Sequence, residues 1–191
     1  TLKDNGFYVG YSSFLFMHAQ NITIKNCSFK NNYNGHFIEF AGVKNARIEN
    51  CNMAMSGSRY VGEGSNEAIQ IDNTYQQSNS PSGAPWDDTA CENITISNCK
   101  IKFARGIGTN RVGKTFFKNI KIQGCTITST NEALNMYDVL GLNVNKCTIK
   151  TTGKFKDYRS VAMYVGLDSM PKNSNASKAN ATITNNKIYG K

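Results

Sequence analysis

Proline is nearly missing from this 191-residue chain, which has three, together with two histidines and one tryptophan. With so little proline the turns fall to other residues, and asparagine and threonine are the abundant ones, as in many short strands joined by turns. His18 and His36 stand apart from any second cluster of ligand-type residues, so a zinc site is not expected. No apolar run approaches the roughly 20 residues of a membrane helix. The opening Thr1-Leu-Lys-Asp has no charged stretch leading into an apolar one, so any export signal was removed or lies outside this stretch. Acidic residues are also in deficit: 22 Lys and Arg face 13 Asp and Glu. Such a surface favours polyanionic partners such as nucleic acid, an anionic membrane or an acidic polysaccharide.

What is present in excess is a repeat. A nine-residue phrase runs from Asn21 to Phe29 and returns at Asn45 to Met53, Asn93 to Ile101, Asn119 to Ile127, Gly141 to Ile149 and Asn180 to Ile188. Each copy places apolar residues two apart, then Asn or a substitute, then a fixed position held by Cys27, Cys51, Cys99, Cys125, Cys147 and finally Asn186. Recurrence of this kind marks a solenoid. Five cysteines at one repeat position are expected to stack as buried thiols rather than pair as disulfides, leaving Cys91 as the thiol free for another role. Period two and the richness in Ile and Thr exclude a helical reading, and leucine-rich spacing is absent.

A second, variable strand precedes each phrase. Thirteen residues separate Phe14 from Cys27, Ile38 from Cys51 and Leu134 from Cys147; the other three coils are longer by 17, 5 and 10 residues at the same corner. The expectation is an all-β, right-handed parallel β-helix of about six coils, with two recognisable strands each, in a single domain spanning 1–191. At one coil per strand spacing it would be about 29 Å long. Both termini stop in repeat register, which suggests a fragment of a longer solenoid or ends covered by another segment.

Alternation along the variable strand, with Ile38 and Phe40 inward, sends Phe37 and Glu39 outward. The same register exports Leu15, Glu39, Gln70, Gly108, Asn135 and Tyr164 in one column and Met17, Ala41, Asp72, Asn110, Tyr137 and Gly166 in the next. His36, Glu67, Arg105 and Glu132 stand at the strand starts. Loops at 73–92, 110–118 and 166–179 form one wall beside this floor, and loops at 54–66 and 151–160 the other. They carry Tyr75, Trp86, Asp87, Asp88 and Arg111 on one side and Arg59, Tyr60, Glu63, Lys154, Lys156, Tyr158 and Arg159 on the other. Long loops on a rigid scaffold carry function. A polar floor with aromatic and basic walls suits a sugar polymer, whose ring faces stack on aromatics and whose carboxylates or sulfates pair with cations. The candidate ligand-binding set is Glu39, Gln70, Asp72, Trp86, Arg105, Asn110, Arg111, Asn135, Tyr137 and Tyr164. An alternative role for Trp86 is packing its loop onto the barrel.

Through Gly35 to Asn45, Asn66 to Asp72, Cys91 to Ile96 and Arg105 to Thr109, the chain resembles the pectin-lyase-like superfamily of right-handed β-helices along essentially its whole length. It is most similar to β-solenoids on the surface of Gram-positive bacteria, including binding regions of serine-rich-repeat adhesins. The resemblance implies two classes of function. One is a secreted or wall-attached binder of an acidic polysaccharide or host glycan, with no cofactor. The other is a carbohydrate-active enzyme: a lyase with Arg105 as base and calcium held by Asp72 with Asp87 or Asp88, or a hydrolase using Asp72 and Asp88. For Arg105, pairing with Glu67 or Glu132 on adjacent coils is the simpler role. Nothing in the chain marks a nucleic-acid recognition motif.

Overall fold

The computed structural model describes residues 2–3, 12–32, 35–55, 66–74, 86–153, 161–167 and 180–190. All its strands are parallel and stack into three sheets, numbered in the order in which each coil visits them. Sheet 1 holds the variable strands Phe14–Met17, Ile38–Ala41, Glu67–Asp72, Arg105–Asn110, Leu134–Tyr137 and Met163–Gly166. Sheet 2 holds Thr23–Lys25, Lys44–Glu49, Glu92–Ser97, Phe117–Gln123, Val139–Asn145 and Ala181–Thr184. Sheet 3 holds Ser28–Lys30, Asn52–Ala54, Lys100–Phe103, Thr126–Ser129, Thr148–Thr151 and Lys187–Tyr189, preceded by Leu2–Lys3. The chain is a parallel β-helix of six coils with one leading strand.

Each coil has three strands where two were expected. The nine-residue phrase is two strands, because it bends at the residue before the cysteine position. Asn26, Asn50, Asn98, Gly124, Lys146 and Asn185 all have positive φ, between 53° and 64°. That left-handed conformation is easy for glycine and tolerated by asparagine, which explains the composition of the column. A second left-handed column opens the phrase at Asn21, Asn45, Asn93, Asn119 and Gly141. Its side-chain amides form a ladder, Asn119 to Asn93 at 2.9 Å, Asn93 to Asn45 at 3.0 Å and Asn45 to Asn21 at 3.4 Å.

Inside, identical phrase positions stack. Ile24, Ile48, Ile96, Ile122, Val144 and Ile183 are consecutive rungs of sheet 2, and Phe29, Met53, Ile101, Ile127, Ile149 and Ile188 of sheet 3. In coils two to five these side chains are buried, whereas in coil six Ile183 and Ile188 are 41% and 45% exposed. The cysteines line the bend as free thiols, buried in four coils and partly so at Cys27. Each of those four donates to a carbonyl of the preceding coil, as Cys99 does to Ile48 at 3.7 Å. Phe37 departs from the expected alternation: it turns inward and stacks between Phe29 and Phe103, with ring centroids 5.9 and 5.0 Å away. It sits at the corner before the strand begins, where strict alternation does not apply.

The insertions fall at two corners. Between sheets 1 and 2 the long connections are 73–91, 111–116 and 167–180; between sheets 3 and 1 they are 55–66 and 152–162. Both sets flank sheet 1.

Candidate functional site

The outer face of sheet 1 is in the expected register. Leu15, Glu39, Gln70, Gly108, Asn135 and Tyr164 occupy successive rungs. Met17, Ala41, Asp72 and Asn110 do the same beside them, and Tyr137 is paired with Gly166. Tyr137 donates its hydroxyl to Asn110 Oδ1 at 3.4 Å, joining the fourth and fifth coils. Along this strip Gln70, Asn110, Asn135, Tyr137 and Tyr164 are half-buried, and Trp86 is 52% exposed at the flanking corner.

The acids are deeper than the polar neutral residues. Glu39, Asp72, Glu67 and Glu132 are all buried, although they lie on the outward face. Gly108 makes part of this possible, since a Cβ there would stand 2.6 Å from Glu67 Cγ. Arg105 is clamped between Glu67 and Glu132 on the neighbouring coils, its Nε 3.0 Å from Glu132 Oε2. Its side chain is 16% exposed. Arg105 thus ties together three successive coils through its two carboxylate partners.

Burial governs the titration of this cluster. His36 donates from Nδ1 to the Glu67 carbonyl at 2.7 Å, and burial, assisted by the charge of Arg105, lowers it to about 4. Burial raises Glu67 to about 6 against the opposing pull of Arg105. Asp72 is pushed well above the usual carboxylate range by burial and then by the charge of Glu39, while Gln70 donates to its Oδ2 at 2.7 Å. Ser12 hydrogen-bonds Glu39. The floor is therefore acidic in composition, with Arg105 as the cation set among Glu39, Glu67, Asp72 and Glu132.

The remaining charged candidates hold the corner loops. Asp88 has positive φ and accepts at Oδ2 from the backbone N–H groups of Lys114 and Thr115, at 2.8 and 2.9 Å, and at Oδ1 from Asn73 at 3.2 Å. Asp87 accepts from the hydroxyls of Thr89 and Thr74, which lower it to about 2. Arg111 has a 6% exposed side chain, pairs with Asp138 at 2.6 Å and lies over the Phe116 ring. Arg111, expected among the ligand-binding residues, braces the corner through these two contacts. Cys91, expected to be free for another role, is buried at the same corner. It accepts from the Val43 N–H at 3.2 Å, donates to the Asp72 and Phe40 carbonyls, and burial raises it to about 12. Among the described residues no three His, Cys, Asp or Glu side chains converge to hold a metal ion. Tyr75, Arg59, Tyr60, Glu63, Lys154, Lys156, Tyr158 and Arg159 lie outside the described residues, as do most of the wall loops.

Asp138 escaped the sequence reading. Its signal was faint: an acid at the corner after the fifth strand of sheet 1, with its cation 27 residues away.

This fold and strip define a class, a parallel β-helix whose coils carry a half-buried polar and aromatic surface between two loop-bearing corners. No family model matches the chain. It is similar to two solved structures of PfbA, a surface adhesin of Streptococcus pneumoniae. One has a TM-score of 0.65 at 23% identity, over 91% of this chain and 42% of that one; the other has 0.58 at 26%, over 85% and 42%. In sequence it is 33% identical over 101 residues to plasmin and fibronectin-binding protein A of the same organism, covering 45% of this chain and 12% of the relative. The chain thus corresponds to a small part of that protein's length.

Proposed function

We propose that this chain is a cell-surface adhesin domain that binds a host glycan or glycoprotein along the outer strip of sheet 1. The observation that carries the reading is the row Gln70, Asn110, Asn135, Tyr137 and Tyr164, half-buried, in register and accompanied by exposed Trp86. Amides and phenols at successive rungs give an extended partner repeated hydrogen bonds, and an exposed indole gives it a stacking face. Similarity to a surface adhesin whose name records plasmin and fibronectin binding supports the class of partner. An acidic polysaccharide is the poorer ligand for this strip, because Glu39, Glu67, Asp72 and Glu132 underlie it. Catalysis is the weaker reading as well, since Arg105 and Asp88 already have partners on both sides.

The test is surface-plasmon binding to fibronectin, plasmin and a glycan panel. Tyr137→Ala and Asn135→Ala should weaken binding about tenfold or more, as truncations at an interface centre do. The same glycans should be recovered unchanged. New reducing ends or ultraviolet-absorbing uronates, lost in Asp72→Asn or Asp88→Asn, would replace the adhesin with an enzyme.

A further inference from the structure

The three faces of the β-helix differ in charge, and the difference is set by the register. On sheet 1 the acids described above dominate. Sheet 2 interleaves the two signs: Lys44, Glu92 and Lys118 are consecutive rungs, and Arg47 pairs with Glu49 in its own strand. On sheet 3 every charge is positive. Its outward residues are Ser28 and Lys30, Asn52 and Ala54, Lys100 and Lys102, Thr126 and Thr128, Thr148 and Lys150, and Lys187 and Tyr189, coil by coil. Lys30, Lys100, Lys102, Lys150 and Lys187 are all exposed, and the outward face of these six strands contains no acidic residue.

From this pattern we infer that the outer face of sheet 3 is a second binding surface, distinct from the strip of sheet 1, and that its ligand is a linear anionic polysaccharide. The column Lys30, Ala54, Lys102, Thr128, Lys150 and Tyr189 follows one line along the helix axis. Alternate rungs carry the lysines, so their stems are about 10 Å apart. The parallel column Ser28, Asn52, Lys100, Thr126, Thr148 and Lys187 adds two threonine hydroxyls between its two lysines and a serine and an amide before them. A track of exposed lysines in register, with neutral hydroxyls between them, matches a linear chain of regularly spaced carboxylates or sulfates. The corner between sheets 2 and 3 is the tight bend of the phrase in all six coils, so no insertion rises on that side. Nucleic acid fits less well. The face offers Tyr189 as its aromatic platform and no arginine for bidentate phosphate contact.

The basic excess of the whole chain makes nonspecific attraction the competing explanation, and the experiment is built on that. Retention on an immobilised sulfated glycosaminoglycan is measured against salt for three proteins: wild type, Lys100→Gln/Lys102→Gln/Lys150→Gln on sheet 3, and Lys44→Gln/Lys118→Gln/Lys121→Gln on sheet 2. Both variants lose the same charge at exposed, outward strand positions. Wild type should bind with affinity falling steeply with salt. The sheet 3 variant should lose about tenfold or more in affinity, the scale for removing three polyelectrolyte contacts, and the sheet 2 variant less than about twofold. Equal losses in the two variants, or no binding by wild type at low salt, would overturn the proposal, as would tighter binding to single-stranded DNA of matched charge. Tyr137→Ala leaves this retention unchanged, so failure here is separable from failure at sheet 1. Circular dichroism and thermal midpoints confirm that both variants are folded.

Discussion

At the scale of single residues the coil is shaped by backbone angles that few side chains accept. The bend column is asparagine or glycine except at Lys146, whose φ is 55°. For such a residue the left-handed conformation costs roughly 1–2 kcal/mol that asparagine and glycine largely avoid. Lys146→Asn should therefore raise the stability of the fold by about 0.5–1 kcal/mol, read as a higher urea midpoint with unchanged slope. Asn93→Ala goes the other way. It removes the amide that donates to Asn45 and accepts from Asn119 and forces alanine into φ 57°, so a loss of about 1–3 kcal/mol is expected. If Lys146→Asn lowered the midpoint, the left-handed account of the bend would be wrong.

At the scale of the element, sheet 1 gathers charged and titratable groups from four coils that act on one another. Its pH response follows from two opposite shifts. His36 falls from 6.5 to about 4, so the unfolded chain binds more protons between those values and the His36 contribution is lost as pH falls through that window. Glu67 rises from 4.5 to about 6, so the folded chain binds the extra proton and its contribution is lost as pH rises through that window. Between pH 4.5 and 6 the two oppose each other. His36→Gln removes the first, and Asp72, also raised, acts in the same sense as Glu67. The urea midpoint of that variant should fall as pH rises from 4.5 to 6, more steeply than that of the wild type. A steeper rise would show that the carboxylates are held ionised in the fold. The loop struts are a second element-scale matter. Arg111→Met would leave Asp138, 1% exposed, without its cation, and removal of one partner of a buried pair costs about 3–5 kcal/mol.

At the scale of the molecule, each coil touches mainly its two neighbours, so stability is a sum along a line. The thiol column reports on it. Cys51, Cys91, Cys99, Cys125 and Cys147 are buried, and Cys27 is partly exposed. In native protein an aromatic disulfide reagent should modify Cys27 readily and the other five slowly. On addition of moderate urea, Cys147 should react before Cys99, because the sixth coil beside it leaves its own core residues half exposed. Simultaneous reaction of all five would mean that the coils unfold as one unit. The same linear build separates the charge types onto three faces, placing acids beneath the strip of sheet 1 and lysines alone on sheet 3.

The repeat determined the fold from sequence alone. Spacing from Phe14, Ile38 and Leu134 to the cysteine sets the coil, and alternation alone places Gln70, Asn135 and Tyr164 in one column. Those features are local, and a period-two strand converts them directly into direction. The third strand per coil, the inward turn of Phe37 and the burial of Glu39 and Asp72 were decided only by the tertiary structure. Each depends on what comes to lie against the residue, and that is set by bends and loops from other coils. The same reason separates Arg105, whose partners on adjacent rungs could be read in the sequence, from Arg111, whose partner Asp138 closes a corner that no spacing predicts.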